Sequence, residues 1–196
     1  MKTVINALPD TRSQRLKAAT RDSHGALDQR IMAGDIFASR TQFARFLRVQ
    51  YRFHRDLDPL YHSAPLDALL PGLAGRRRLA RIGEDLGDLQ QPLPPDSASP
   101  LAADVPLPVA LGWLYVAEGS HLGGAVLYKM AARLGLDAGF GARHLAAHPE
   151  GAARHWRAFT TALDSVVLDA GQEQQVIEAA DTAFRRVHAH VEHEFA

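Results

Sequence analysis

The stretch Gly112-Trp-Leu-Tyr-Val-Ala-Glu-Gly119-Ser-His-Leu-Gly123-Gly124-Ala-Val-Leu-Tyr-Lys129 constrains this chain more than any other. It reads as one helix, yet it holds four glycines, each costing about 1 kcal/mol relative to alanine inside a helix. Something must compensate. At the helical period Gly112, Gly119 and Gly123 fall on one face, a strip of bare backbone against which a flat or bulky object can lie. A close helix crossing and a bound ligand both satisfy that description. A membrane partner does not, because a span needs roughly 20 apolar residues and this stretch carries Glu118, Ser120, His121 and Lys129.

The flanking sequence reads as helices throughout. Thr11 or Ser13 can cap a first helix with Leu16, His24, Leu27 and Ile31 on one side, ending near Gly34. Ser39 or Thr41 opens a second, with an aromatic stripe from Phe43 and Phe46 through Tyr51 and Phe53 to Tyr61 that reads as core. Pro71 and Gly72 interrupt, and Leu79 to Leu89 form a third. Residues 90–106, rich in Pro, Ser and Asp, read as a surface loop, and Pro108 starts the glycine helix, which runs to about Gly135. Helical patterns follow over 142–147, 151–166 and 172–195. No period-2 segment appears, so the expected fold is an all-α, single-domain helical bundle over residues 1–196 with a tail at 1–10.

Composition narrows the function. Acidic and basic residues balance at 22 each, leaving no field to draw in nucleic acid or an anionic membrane. With no cysteine there is no disulfide, thiolate ligand or thiol nucleophile. The first ten residues lack the apolar segment of a secretory signal, so a cytoplasmic protein is expected, a monomer by default.

Three histidine groupings could bear chemistry. His24 has Asp28 one turn later, a spacing at which the carboxylate fixes one imidazole nitrogen and leaves the other for a metal, or merely satisfies a core histidine. Glu118 and His121 form a Glu-x-x-His pair, but the second such pair that a di-iron bundle needs is missing. His188, His190 and His193 do not share one helix face and read as solvated surface, and the run Arg76-Arg77-Arg78 reads as an exposed helix start.

In combination these residues resemble the haem (heme) oxygenases, in their compact bacterial branch. The resemblance rests on Gln14-Arg-Leu-Lys-Ala-Ala-Thr-Arg-Asp-Ser-His24-Gly-Ala-Leu-Asp28 together with Gly112 to Gly124, supported by Phe46 to Tyr61 and by Phe140-Gly-Ala-Arg-His-Leu-Ala146. It implies haem b, cofactor and substrate together, held between a proximal helix bearing the axial ligand His24, with Asp28 behind it, and a distal helix whose Gly119, Ser120, Gly123 and Gly124 line the reaction space. The implied reaction opens haem to biliverdin, releasing CO and ferrous iron. It uses O2 and electrons from an external reductase such as a ferredoxin or flavoprotein. Biliverdin could then serve a photoreceptor that uses it as chromophore.

Two details follow from the same resemblance. Lys17 and Tyr115 match the residues that hold the haem propionates in relatives opening the α-meso position, so the IXα isomer is expected. Many relatives outside this branch carry an aspartate directly after the first distal glycine; here the residue is Ser120, which leaves Tyr51 or His54 as stand-ins for proton delivery. That departure keeps a second reading open, a haem-binding or haem-delivery protein without turnover. A third, a related helical fold that hydrolyses thiamin-like pyrimidines, commonly needs the cysteine this chain lacks.

Overall fold

The computed structural model describes residues 11–95, 101–102 and 104–196; the tail at 1–10 and part of the 90–106 loop lie outside the described residues. All regular structure among them is helical, apart from one isolated bridge between Asp137 and Gly141. The helices are α1 (Arg12–Ala19), α2 (Arg21–Ala33), α3 (Arg40–Asp56), α4 (Ala64–Leu69), α5 (Leu79–Asp88), α6 (Leu107–Gly119), α7 (Gly124–Ala132), α8 (Ala152–Ser165) and α9 (Ala170–Phe195). Short 3₁₀ turns stand at Asp58–His62, Ala74–Arg76, Ser120–Leu122 and Arg143–Leu145.

Local chemistry explains most of the boundaries. Thr11 and Gln14 form a reciprocal capping box on α1, and Asp169 and Gln172 form another on α9, so that two orphan backbone donors are satisfied at each start. The Ser39 side chain accepts from the Gln42 amide at the start of α3. The α4 helix has no counterpart in the sequence pattern, because six residues with one proline are too short to register as periodic.

Helix α9 is the keel: α2, α3 and α6 all pack along it. The first apolar cluster joins Leu16, Phe53, Leu60, Trp113, Leu114, Phe159, Val176 and Val187; the second joins Phe43, Phe46, Leu47, Ile82, Leu86 and Leu136. The stripe of α3 supplies both.

Four features differ from the sequence expectation. The first helix divides at Thr20 into α1 and α2, with the Thr20 hydroxyl donating to the Leu16 carbonyl at 2.8 Å. A hydroxyl bonded back in this way loosens the helical ladder. The glycine helix likewise divides, α6 ending at Gly119 and α7 starting at Gly124. The arginine run is not an exposed start: Arg76 is buried on Glu118, Arg77 pairs with Asp58, and Arg78 is largely enclosed. His190 is not solvated but buried, 2.8 Å from Asp56, whose other neighbour is Arg186.

The bare strip also resolves into two parts. A Cβ on Gly112 would fall 2.5 Å from the Val176 carbonyl oxygen and 2.7 Å from the Ala179 Cβ, so this glycine exists for the α6–α9 crossing. A Cβ on Gly123 would meet nothing nearer than 3.8 Å. Gly112→Ala is expected to destabilise the protein by about 1–3 kcal/mol through overpacking, against the gain of about 1 kcal/mol that helix propensity alone would give. Denaturant midpoints check this; an unchanged or raised midpoint refutes the close crossing.

Candidate functional site

The side expected to be proximal is built at the α1–α2 junction. His24 lies on α2 with 58% of its side chain exposed, so it is not the inward-facing residue that the helical pattern suggests. Its Nδ1 stands 3.3 Å from the Asp28 carboxylate and its ring meets Phe184 edge-on, with centroids 5.8 Å apart. Among the described residues Nε2 has no protein partner. Lys17, Thr20 and His24 follow at i, i+3 and i+7, and Lys17 is exposed. Tyr115 on α6 is buried, with its hydroxyl beside Thr20. Burial pushes that hydroxyl up to about 12, more than nearby Thr20 pulls it down, so it stays protonated and able to donate. Tyr115 thus faces the α1–α2 junction from within, and Lys17 stands on the exposed side of α1.

The side expected to be distal is built where α6 gives way to α7. Gly119, Ser120 and Gly123 keep right-handed helical dihedrals, but the chain tightens to a 3₁₀ turn over Ser120–Leu122. Gly-Ser pairs permit such a kink because neither residue resists the change in pitch. Gly119 approaches Trp156, where a Cβ would stand at an ordinary 3.5 Å. Gly124 is buried with Leu145 nearby, and the Ser120 hydroxyl donates to the Ala117 carbonyl at 2.7 Å. Leu122, 45% exposed, and Val126, 63% exposed, flank the open Gly123. Their i and i+4 spacing joins them into one apolar strip.

Behind this turn lies a polar interior that the sequence only half discloses. Glu118 is buried, accepting from the Tyr61 hydroxyl at 2.9 Å and from the Arg76 guanidinium at 3.0 Å. Burial raises its pKa, and Arg76 followed by Tyr61 draws it back. The Glu118–His121 pair of the sequence spans 3.9 Å, too far for a hydrogen bond. His54 and His121 stack nearly parallel, 6.1 Å apart. His144 donates Nδ1–H to Asp85 at 2.7 Å, and Asp85 also accepts the His144 amide at 3.0 Å. Arg78, whose guanidinium donates to the His144 carbonyl, completes the group. The Arg run and His121 are visible signals in the sequence; Tyr61, Asp85 and His144 join only through the tertiary fold. Tyr51, one of the two stand-ins for proton delivery, instead packs beneath Arg55. No three His, Asp or Glu side chains among the described residues converge closely enough to hold a metal ion.

The haem oxygenase family model matches residues 10–193. The chain belongs to the haem oxygenase family. It is 45% identical over 185 residues to heme oxygenase PigA of Pseudomonas aeruginosa, covering 94% of this chain and 93% of that one. A solved structure of the NO- and CO-bound heme oxygenase from Neisseria meningitidis superposes with a TM-score of 0.90 at 36% identity, over 95% of this chain and 93% of that chain. The heme oxygenase of Leptospira interrogans shares the fold, with a TM-score of 0.75 at 18% identity over 93% and 99%. This is thus an all-α haem oxygenase, an enzyme whose substrate is haem.

The enclosed histidines of this haem oxygenase give it a pH signature. Burial first, then Arg78 and His144, lower the His54 pKa to about 3. Below pH 6.5 the unfolded chain binds a proton at this residue that the folded chain refuses until about pH 3. Stability from this residue is therefore complete above about pH 6.5 and falls with pH, by about 1.4 kcal/mol per unit once well below that value. His121 and His144, also lowered by burial, act in the same direction. Between about pH 7 and pH 5 the denaturant midpoint of the parent protein should drop more steeply than that of His54→Leu. Equal slopes would mean that His54 is not held neutral.

Proposed function

We propose that haem lies between His24 and the open backbone at Gly123, with His24 as axial ligand and Asp28 fixing its tautomer. The observation that carries this reading is a matched pair of exposures. An imidazole nitrogen without a partner stands in solvent on α2, and an apolar strip, Leu122 and Val126 around Gly123, stands in solvent on α7. Residues left in water in this way suit a large apolar ligand with one metal centre. Gly25, next to His24, also has nothing within 4 Å of where a Cβ would stand, so a flat ring can lie close on that side too.

Bound haem supplies an iron that activates O2 beside its own ring, which is then opened to biliverdin with loss of CO and ferrous iron. The chain's share is orientation and access. Gly119 and Gly123 withhold side chains from the distal face, and Gly124 continues that bare backbone into α7. Ser120, whose hydroxyl is committed to the Ala117 carbonyl, shapes the turn rather than replacing the missing aspartate. Lys17 offers a point charge and Tyr115 a donor hydroxyl to the propionates at the α1–α2 junction.

The enzyme's setting follows the same reading. Electrons come from a ferredoxin or flavoprotein reductase, and the biliverdin is suited to a photoreceptor. The chain works as a single domain, since Ile31 and Phe195 pack against both apolar clusters, and as a monomer. It acts in the cytoplasm; no described helix is long and apolar enough to cross a membrane.

One experiment tests the core of it. Haem is added to the purified protein and to His24→Ala, spectra are recorded during reduction in air, and the extracted pigment is separated by chromatography. The parent should yield biliverdin IXα, and His24→Ala should lose the normal spectrum of the haem complex while keeping its helical circular dichroism. An unchanged His24→Ala spectrum refutes the ligand; a mixture of β and δ isomers refutes the Lys17 and Tyr115 assignment.

A further inference from the structure

An exposed imidazole ordinarily turns freely about its Cβ–Cγ bond, and the side chain of His24 is 58% exposed. Two groups restrain it. The Asp28 carboxylate lies 3.3 Å from Nδ1 but is itself 62% exposed, so water competes for it and it follows the ring through small rotations. Phe184 on α9 is different, because it is buried and belongs to the first apolar cluster, together with Leu27 and Val187. Its ring meets the imidazole at 84°, with centroids 5.8 Å apart. Perpendicular contact is a preferred arrangement for two flat rings, and turning the imidazole breaks it.

The backbone is held at the same place. Ser23, the residue before His24, donates its hydroxyl to Asp181 at 2.6 Å, and Asp181 also accepts from Arg185. Asp181 and Phe184 are three apart on α9 and so share a face. Helix α9 therefore grips α2 twice beside one imidazole, once through a hydrogen bond and once through an aromatic contact. The polar grip fixes where the backbone of His24 stands; the aromatic one fixes how its ring is turned.

We propose that Phe184 is the positioning residue that sets the plane of the His24 imidazole. This rests on the reading that His24 is the axial ligand. The π electrons of an imidazole lie above and below its ring. The plane in which the ring is held therefore decides which iron orbitals those electrons meet, and along which haem axis the unpaired electron of the ferric complex is spread. A ring already set before haem arrives also loses little rotational freedom on binding. Asp28 governs which nitrogen is left for the metal, and Phe184 governs the plane.

The test records the ¹H spectrum of the cyanide-bound ferric haem complex for the parent, Phe184→Leu and Phe184→Tyr. The haem methyl resonances report the ligand plane, because each is displaced by the unpaired spin on its own pyrrole. In Phe184→Leu, which keeps apolar bulk but no ring, their order or spacing should change, and haem affinity should fall about two- to tenfold. Phe184→Tyr, which keeps the ring, should give the parent's pattern. A role in packing alone would lower the denaturant midpoint and leave the methyl resonances in place. The parent's pattern in Phe184→Leu, whatever its affinity, thus overturns the proposal and leaves the haem reading standing; so does a Phe184→Tyr pattern displaced as far as that of Phe184→Leu. An axial imidazole assigned to another residue in the parent overturns the haem reading instead. Should neither variant fold, the carbon monoxide-bound ferrous parent decides: cross-relaxation between the ring protons of His24 and Phe184 supports the assignment, and its absence refutes it.

Discussion

Helix α6 cannot face water on any side, and the molecule is arranged around that constraint. From Ala110 to Glu118 every residue is buried, including the one carboxylate. An apolar helix of this kind must be enclosed by other elements, and the closest of them, α9, reaches it only because Gly112 removes the side chain at their crossing. The crossing holds α6 against the keel, so the end of the helix can be placed accurately. Glu118, clamped by Arg76 and Tyr61, anchors that end just before the chain kinks at Gly119 and Ser120. Truncating Arg76 would leave the carboxylate buried without its counter-charge, typically a loss of about 3–5 kcal/mol.

From that fixed end the two sides of the site follow. The kink turns Leu122, Gly123 and Val126 outward, while Tyr115, one turn earlier, reaches back to Thr20 at the α1–α2 junction. One helix thus links the glycine turn to the segment that carries His24. The histidines behind the turn are kept neutral by burial and by Arg78, so these rings add hydrogen-bonding capacity without adding charge. Such an interior keeps one protonation state across the neutral range.

Much of this is legible in the amino-acid sequence. Helical periodicity locates α3, α5, α8 and α9, because each buries a regular face, and the cap at Ser39 carries recognisable chemistry. The glycines fall on one strip by spacing, yet Gly112 serves packing and Gly123 faces open space. The two environments differ only through α9, a helix distant in sequence that spacing within the strip cannot register. Spacing from Leu16 and Leu27 points His24 inward, whereas the face turns at Thr20, where α1 gives way to α2. His190 and Arg76 have the sequence character of solvated groups because their partners, Asp56 and Glu118, are far away along the chain. The stacked pair His54 and His121 is hidden for the same reason.

The central claim is that naked peptide at Gly123 exists for a ligand and not for the fold. Gly123→Val measures it most directly, since the position has room for a side chain and a valine there costs a helix no more than glycine does. The apoprotein denaturant midpoint should stay close to that of the parent, with haem binding weakened by at least about tenfold. Undiminished haem affinity in a well-folded Gly123→Val protein would contradict the claim.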